Sequence, residues 1–369
     1  MKVLVTGANG FLGKNLCFHL EAINCEVLRF VRGEKLDFLE ECVSRADAII
    51  HLAGENRPEN PSTFEVVNID LTNKICEFVS KFTKNIPIIF TSSIQAELDN
   101  LYGLSKASAE KSLINLSKNL DIKLGIYRLP GVFGKWCKPN YNSVVATFCY
   151  NIANGLSIKI NDPSLILKLV YVDDVIDSFL DFINNPPVSS NLYYKIDKEY
   201  SISLGELADQ IRCFKNIKES LFIDEVGFGL TRALYSTYLS YLPESEFSYI
   251  LPKYGDQRGK FVEILKTENS GQFSYFTLHP GLTRGYHYHH TKTEKFLVVY
   301  GKARFKFKNI VTHELYELIT RDDKPEVVDT VPGWAHEIIN IGDTELVVML
   351  WANEIYDHEN PDTYSINMN

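Results

Sequence analysis

The sequence predicts two consecutive domains of different class, a doubly wound α/β domain followed by a small all-β domain. At 369 residues the chain is longer than a single hydrophobic core normally supports. Apolar runs alternate with helical segments up to about residue 240, whereas short alternating runs separated by Gly, Asp, Asn and Pro take over from Gly259. We therefore expect one domain over residues 1–245 and a second over residues 246–369.

The composition excludes some classes of partner. Thirty-eight basic and 47 acidic side chains give a net charge of −9, which would repel nucleic acid and anionic membranes. We find no signal-peptide pattern and no apolar run of about 18 residues. The seven cysteines are scattered and include no CxxC pair. We expect a cytoplasmic protein with reduced thiols.

The first domain follows a βαβα order. Lys2 to Thr6 predicts a strand, Gly7 to Gly13 a glycine turn, and Phe11 to Leu20 an amphipathic helix. Further strands are predicted at "EVLRFV", "AIIHLAG", "IPIIFTSS" and "KLGIYRLPGVFG", with helices around residues 38–46, 64–83 and 102–118. Two more strand-to-helix transitions, "LILKLVYVDDVIDSFLDFI" and "SISLGELADQI", complete the pattern of a doubly wound parallel sheet.

The second domain contains short strands without a convincing helix. The alternating runs are Phe261 to Leu265, Phe273 to Leu278, Glu294 to Val299, Ala303 to Phe307, Val327 to Asp329 and Glu345 to Leu350. Short strands bounded by turn residues are typical of a jelly-roll sandwich or barrel.

The motif "VLVTGANGFLGKNL" is typical of a dinucleotide site, because its glycines allow a tight turn and bring a pyrophosphate to a helix N-terminus. The residues expected at the cofactor are Gly7, Asn9, Gly10, Phe11, Leu12, Gly13, Leu52 and Ala53. The second strand ends without a carboxylate for a ribose hydroxyl and carries Arg29 and Arg32, which favours NADP over NAD. Solvated loop arginines are the alternative, and Asp37 is either an adenine contact or a loop carboxylate.

Tyr102 and Lys106, four residues apart in "YGLSK", share one face of a helix. The lysine can lower the phenol pKa and hydrogen-bond a ribose, so that Tyr102 exchanges a proton during hydride transfer. Ser92 or Ser93 ends a strand at the carboxyl edge of the sheet and offers a hydroxyl to a substrate carbonyl.

Basic side chains that can bind a diphosphate or sugar occur in several loops and at one strand. They are Arg57, Arg128, Lys135 and Lys138. The alternative is exposed loop charge, or a structural ion pair for Arg128.

His287 and His289 point to the same side of a strand and can converge on one ion. Glu294 and His336 complete a set of three imidazoles and one carboxylate, which suits zinc and other divalent metals. His290 is the rival ligand if the strand contains a bulge. A polar core or a pH-sensitive patch is the alternative to a metal site.

Residues 1 to about 240 resemble the extended short-chain dehydrogenase/reductase family, in its sugar-nucleotide branch. The motifs are "TGANGFLG", "HLAG", "FTSS", "YGLSK", "YRLPGVFG" and "YVDDV". The resemblance implies that Tyr102 is the acid, Lys106 its electrostatic partner and Ser93 the carbonyl ligand. Ser93 precedes Tyr102 by nine residues, a shorter separation than is usual in the family, which leaves Ser92 as the alternative.

Residues 247–369 resemble the cupin fold. The first cupin motif is matched by the spacing of Gly281, His287, His289, Glu294 and Gly301. The segment "PGWAHEIIN" is similar to the second cupin motif.

The combination resembles the capsular-polysaccharide reductases that help to make UDP-N-acetyl-L-fucosamine. That resemblance implies NADPH-dependent reduction of a UDP-4-keto sugar, a zinc-binding cupin that epimerises C3, and a homodimer or larger homo-oligomer. The alternatives are a structural cupin, an epimerase or dehydratase that retains NAD, and a nucleotide sensor without turnover.

Overall fold

The computed structural model describes residues 1–187, 191–359 and 361–368. The chain divides into two compact units, which we describe separately. The first comprises Met1–Arg212 and Arg232–Pro243, and the second comprises Cys213–Thr231 and the chain from Glu244 onward. The segment Cys213–Thr231 joins the second unit because its backbone hydrogen-bonds to that of Lys266, a pairing that the sequence pattern does not indicate.

The first unit is built on a six-stranded parallel sheet with strand order β2-β1-β3-β4-β5-β8. A smaller sheet has the order β6-β7-β9. Their strands are β1 (Lys2–Thr6), β2 (Glu26–Phe30), β3 (Ala48–His51), β4 (Ile88–Ser93), β5 (Leu124–Leu129), β6 (Gly131–Phe133), β7 (Ile166–Tyr171), β8 (Tyr193–Tyr194) and β9 (Glu199–Ser203). The chain reverses its direction of winding between β1 and β3, which is where open α/β sheets bind ligands.

Helices connect these strands, and the last two helices, which follow β9, lie partly in the second unit. They are α1 (Phe11–Ala22), α2 (Leu36–Arg45), α3 (Leu71–Lys81), α4 (Leu101–Leu120), α5 (Val144–Ala153), α6 (Val172–Asn184), α7 (Leu204–Ser220) and α8 (Gly229–Leu239). One buried core joins the sheet to α1 and α6, and the other joins it to α2, α3 and α4. A π-helical turn, Glu65–Asp70, precedes α3. Among the described helices, none is long and apolar enough to cross a bilayer.

The second unit contains two antiparallel sheets, with orders β10-β11-β12-β19-β14-β17 and β16-β15-β18-β13-β20. The strands are β10 (Tyr254–Asp256), β11 (Gly259–Thr267), β12 (Gly271–Leu278), β13 (Thr283–Tyr288), β14 (Glu294–Tyr300), β15 (Lys302–Asn309), β16 (Leu315–Arg321), β17 (Val327–Asp329), β18 (Trp334–Asn340), β19 (Leu346–Ala352) and β20 (Tyr364–Ser365). Phe276, Phe296 and Phe305 lie in the core between the sheets. The predicted α/β Rossmann-type sheet followed by an all-β cupin (jelly-roll) domain is confirmed.

Candidate functional site

The loop after β1 has the geometry that its glycines predict. Gly7 has φ of +69°, and its N–H donates to the carbonyl of Phe30 at 2.9 Å. A Cβ atom on Gly13 would lie 2.2 Å from the Gly7 carbonyl oxygen, so only glycine allows this approach of α1 to the loop. Helix α1 begins at Phe11, with Leu12 in the same turn, and its first N–H groups are available to an anion.

A cavity of about 830 Å³ lies beside this loop. Its lining includes Gly7, Asn9, Gly10, Arg32, Leu52 and Ala53, all of which the sequence predicts to contact a cofactor. The lining also includes Asp70 and Lys74 of the α3 region, which the sequence motifs did not indicate. The volume is in the range of small-molecule and cofactor sites.

The two arginines near the end of β2 differ in position. Arg32 lines the cavity, its side chain is 80% exposed, and its guanidinium donates to Glu55 at 2.7 Å. Arg29 pairs instead with Glu21 of α1 at 2.5 Å and is not among the residues that line the cavity. The structure therefore brings only Arg32 to this cavity. Asp37 lies in the first turn of α2.

Tyr102 stands in the first turn of α4, and the side chain of Asn100 caps this turn by accepting the Gly103 N–H at 2.9 Å. Burial raises the pKa of the Tyr102 phenol, although a hydrogen bond with Ser93 partly opposes this increase. The hydroxyl of neighbouring Ser92 is buried and has no hydrogen-bond partner among the described residues. Strand alternation separates the two serines, and the structure pairs Ser93 with the tyrosine.

Lys106 is fully buried, and its ammonium donates to the Thr91 carbonyl at 2.9 Å. Burial lowers the pKa of Lys106 to about 8. We expected Lys106 to lower the pKa of Tyr102, but burial of the phenol determines the direction of its shift. Desolvation of the buried phenol raises its pKa more than the Lys106 ammonium lowers it, because the ammonium is directed at the Thr91 carbonyl.

The basic candidates for substrate binding fall into two groups. Arg57 donates to the Tyr141 carbonyl at 2.9 Å, and the Lys138 ammonium lies 5.2 Å from the centre of the Tyr141 ring. Lys135 instead pairs with Asp173 at 2.6 Å. These contacts bring Arg57 and Lys138 together at one loop.

Arg128 makes the structural ion pair that was the alternative interpretation. Its guanidinium donates twice to Glu110, at 3.0 and 2.7 Å, and once to Glu97 at 2.6 Å. The hydrogen bonds to Glu110 raise the pKa of Arg128. A bidentate pair of this kind leaves little donor capacity for a substrate.

A buried polar network links β3 to α4, and the sequence motifs did not indicate it. His51 contacts the hydroxyls of Thr6 at 2.7 Å and Thr72 at 2.9 Å, and burial lowers its pKa to about 3. Asn68, in the π-helical turn, donates to the Ser105 hydroxyl at 2.9 Å. The network fixes the turn beside the helix that carries Tyr102 and Lys106.

In the second unit, His287, His289, Glu294 and His336 offer ligand atoms that lie within 4.8 Å of one another. The backbone at Tyr286 has φ of +65°, and the register between β13 and β18 shifts between Gly285 and His287. This bulge precedes the histidine pair. His290 is exposed and contacts the rings of Tyr288 and Tyr364, so the bulge does not bring it into the cluster.

The donor set and the pKa shifts of His287 and Glu294 suit a divalent cation. Burial lowers the pKa of His287 to about 4, which leaves a neutral imidazole. Burial alone would raise the pKa of Glu294, but hydrogen bonds with His289 and His336 hold it well below its usual value. Three imidazoles and one carboxylate are a donor set that zinc commonly takes. The residues therefore fit a metal ion.

The first unit combines a glycine loop at a helix N-terminus with a buried Ser/Tyr/Lys set, and the second has a buried His/Glu cluster. Residues 3–193 match the family described as NAD dependent epimerase/dehydratase. Residues 254–364 match the polysaccharide biosynthesis C-terminal domain. The chain belongs to the NAD dependent epimerase/dehydratase family, whose members use a nicotinamide cofactor.

Individual relatives extend over both domains. The chain is 55% identical over 366 residues to the UDP-2-acetamido-2,6-beta-L-arabino-hexul-4-ose reductase of Pseudomonas aeruginosa, covering 99% of this chain and 98% of the relative. The crystal structure of the capsular polysaccharide assembling protein CapF from Staphylococcus aureus matches with a TM-score of 0.92 and 41% identity over 100% of both chains.

A more distant structure shares the fold of the first domain. The Thermus thermophilus UDP-glucose 4-epimerase in complex with NAD has a TM-score of 0.53 and 18% identity. The match covers 65% of this chain and 99% of that structure.

Proposed function

We propose that the first domain reduces the 4-keto group of UDP-2-acetamido-2,6-dideoxy-L-hexulose with NADPH, giving 6-deoxy UDP-N-acetyl-L-talosamine. We further propose that the cupin domain epimerises C3 of the keto sugar with a bound divalent ion, zinc being the first choice. Both steps would serve capsular polysaccharide and UDP-N-acetyl-L-fucosamine synthesis. The observation that carries the proposal is the 55% identity, over 99% of this chain, to a reductase named for such a keto sugar.

The buried trio of the first domain has the groups that carbonyl reduction requires. Ser93 donates a hydrogen bond to the ketone oxygen, and Tyr102 transfers its phenolic proton to that oxygen as C4 is reduced. The raised pKa of Tyr102 keeps the phenol protonated at neutral pH, ready to act as the acid. Lys106 holds the nicotinamide ribose and stabilises the tyrosinate until solvent returns the proton.

Bound NADPH supplies the hydride, and Arg32 supports a preference for NADPH over NADH. Its guanidinium is 80% exposed at the cavity and can form paired hydrogen bonds with a 2′-phosphate. Arg57 and Lys138, which share contacts with Tyr141, are the positive groups that we assign to the UDP moiety. Lys135 and Arg128 are occupied by carboxylates and are weaker candidates.

The acidity of C3 sets the order of the two proposed steps. A divalent ion held by His287, His289, Glu294 and His336 would stabilise negative charge on the ketone oxygen. The C3 proton would pass to solvent, and solvent would return a proton to the opposite face of C3. C3 is acidic only while the neighbouring C4 is a ketone. Epimerisation must therefore precede reduction.

The reductase assignment is tested by Tyr102→Phe. The variant lacks the proton that C4 reduction requires, so it should no longer oxidise NADPH in the presence of the UDP-4-keto sugar. Binding of NADPH should persist, because the glycine loop is unchanged. Normal turnover by this variant would refute the assignment, and NAD that stays bound through purification would favour an epimerase or dehydratase instead.

The epimerase assignment is tested by proton NMR of the keto sugar in D2O without NADPH. Deuterium should enter C3 with the wild type and with Tyr102→Phe, but not with His289→Ala. Tyr102→Phe is the matched control because it leaves the cupin unchanged. If no protein exchanges C3 while the wild type still reduces the sugar, the cupin is a structural, dimerising module.

A further inference from the structure

A short loop connects two of the proposed metal ligands, His289 and Glu294, and the carboxylate of one distant residue holds it. Asp362 accepts the N–H groups of His290 at 2.9 Å, Thr291 at 2.7 Å and Lys292 at 2.8 Å. The Thr291 hydroxyl donates to the same carboxylate at 3.0 Å. Successive N–H groups that converge on an anion form a backbone nest, and here the anion is part of the protein.

The main chain of the same residue contacts a ligand directly. The Asp362 carbonyl accepts a hydrogen bond from His289 Nδ1 at 2.5 Å. A neutral imidazole that donates from Nδ1 has its lone pair on Nε2. His289 Nε2 lies 3.2 Å from Glu294 Oε2, so the nitrogen that is left to coordinate a metal faces into the cluster.

The loop also controls the orientation of Glu294. Lys292 has a side chain that is only 7% exposed, and its ammonium lies 3.3 Å from Glu294 Oε1 and 5.4 Å from the centre of the Tyr356 ring. The other oxygen, Oε2, lies 3.5 Å from His336 Nε2. With Oε1 paired to the ammonium, Oε2 is the oxygen left to coordinate a metal.

We propose that Asp362 is a positioning residue of the metal centre. Its carbonyl sets the tautomer and direction of His289, and its carboxylate holds the loop that places Lys292 against Glu294. The inference rests on the proposed function, because it requires that the four residues bind a metal ion. It predicts that ligand geometry depends on a side chain that does not itself coordinate the metal.

The segment that carries Asp362 has other attachments, so the carboxylate can be removed without undocking it. Strand β20 pairs with β13, with Ser365 opposite His287 and Tyr364 opposite Tyr288. The Ile366 N–H donates to the Tyr286 carbonyl at 2.9 Å. Substitution of Asp362 should therefore loosen the loop while the strand pairing persists.

The test is zinc affinity of the full chain, measured by competition with a chromophoric chelator. Asp362→Ala should bind zinc about 10- to 100-fold more weakly, which is the range found when outer-shell partners of metal ligands are lost. Asp362→Asn should be intermediate, because one acceptor oxygen remains. Asp357→Ala is the matched control, since among the described residues the Asp357 carboxylate accepts only the nearby Glu359 N–H. The zinc affinity of this variant should be unchanged.

A second readout separates positioning from general stability. The visible spectrum of the cobalt-substituted protein depends on coordination geometry, so it should change in Asp362→Asn and stay unchanged in Asp357→Ala. The melting temperature of the metal-free protein should be similar in all forms. If Asp362→Ala does not fold, the affinity and spectrum of Asp362→Asn decide the question.

The possible failures are distinguishable. Wild-type zinc affinity and an unaltered cobalt spectrum in the Asp362 variants would overturn the positioning role, while the metal site itself would stand. A wild-type protein that takes up no zinc would overturn the metal site and, with it, this inference.

Discussion

Lys106 should set the alkaline limit of the proposed NADPH-dependent reduction. Its ammonium is fully buried, and burial lowers the pKa from 10.5 to about 8. The pKa difference, 10.5 − 8, corresponds to about 3 kcal/mol disfavouring the charged form. Above pH 8 the folded enzyme therefore loses the positive charge that we assign to ribose binding and tyrosinate stabilisation.

The expected pH profile follows from this direction of shift. Below about pH 8 the lysine is charged, and kcat/KM for NADPH should be constant; above it, kcat/KM should fall about tenfold per pH unit. Burial raises the pKa of Tyr102 above 10.0, so the phenol stays protonated across this window and does not cause the fall. The assay is the initial rate of NADPH oxidation at limiting NADPH and saturating keto sugar.

Lys106→Arg is the informative variant, because a guanidinium stays charged throughout this range. Its plateau rate should be lower, since the larger group fits the site poorly, but the alkaline fall near pH 8 should disappear. The same fall in Lys106→Arg, or a wild-type midpoint near the ordinary lysine value, would refute the assignment of this titration to Lys106.

Three further predictions concern the first domain. Arg32→Ala should raise KM for NADPH about tenfold and leave KM for NADH unchanged. Arg29→Ala is the control and should alter neither KM, because Arg29 pairs with Glu21. Equal effects of Arg32→Ala on both cofactors would contradict the 2′-phosphate contact. Gly13→Ala places a Cβ atom 2.2 Å from the Gly7 oxygen and should weaken NADPH binding about tenfold or more. Cofactor fluorescence measures this affinity, and an unchanged value would show that the loop adapts. Burial lowers the pKa of His51 from 6.5 to about 3. Between these pH values the unfolded chain binds a proton that the folded chain does not. The free energy of unfolding should therefore fall with decreasing pH, by up to about 1.4 kcal/mol per pH unit. His51→Gln should make acid unfolding, measured by circular dichroism, less steep, and an equally steep transition would exclude this contribution.

Local spacing accounts for the elements and residue pairs that the sequence by itself could indicate. The glycine turn between β1 and α1, the Tyr102–Lys106 face and the His287–His289 pair depend on backbone periodicities that a short segment determines by itself. The βαβα order and the later alternating runs likewise indicated both fold classes. The sequence left two candidates, Ser92 and Ser93, for the serine beside Tyr102. Strand alternation places them on opposite faces of the strand but does not indicate which face meets α4.

Partners that lie on other secondary-structure elements were decided by the tertiary structure alone. The sequence indicated Arg29 and Arg128 as cationic candidates, but the fold pairs them with Glu21 and Glu110. Burial likewise set the pKa directions of Tyr102 and Lys106, since desolvation depends on packing from several elements.

The proposed metal centre shows the same division between sequence and tertiary structure. The amino-acid sequence by itself determined which donor atoms are present and that two of them share a strand face. Only the tertiary structure brought Asp362, 73 residues beyond His289, to the loop between the ligands. The physical reason is that a ligand set follows from residue type and local periodicity, whereas its orientation depends on hydrogen bonds between segments that meet only in the folded chain.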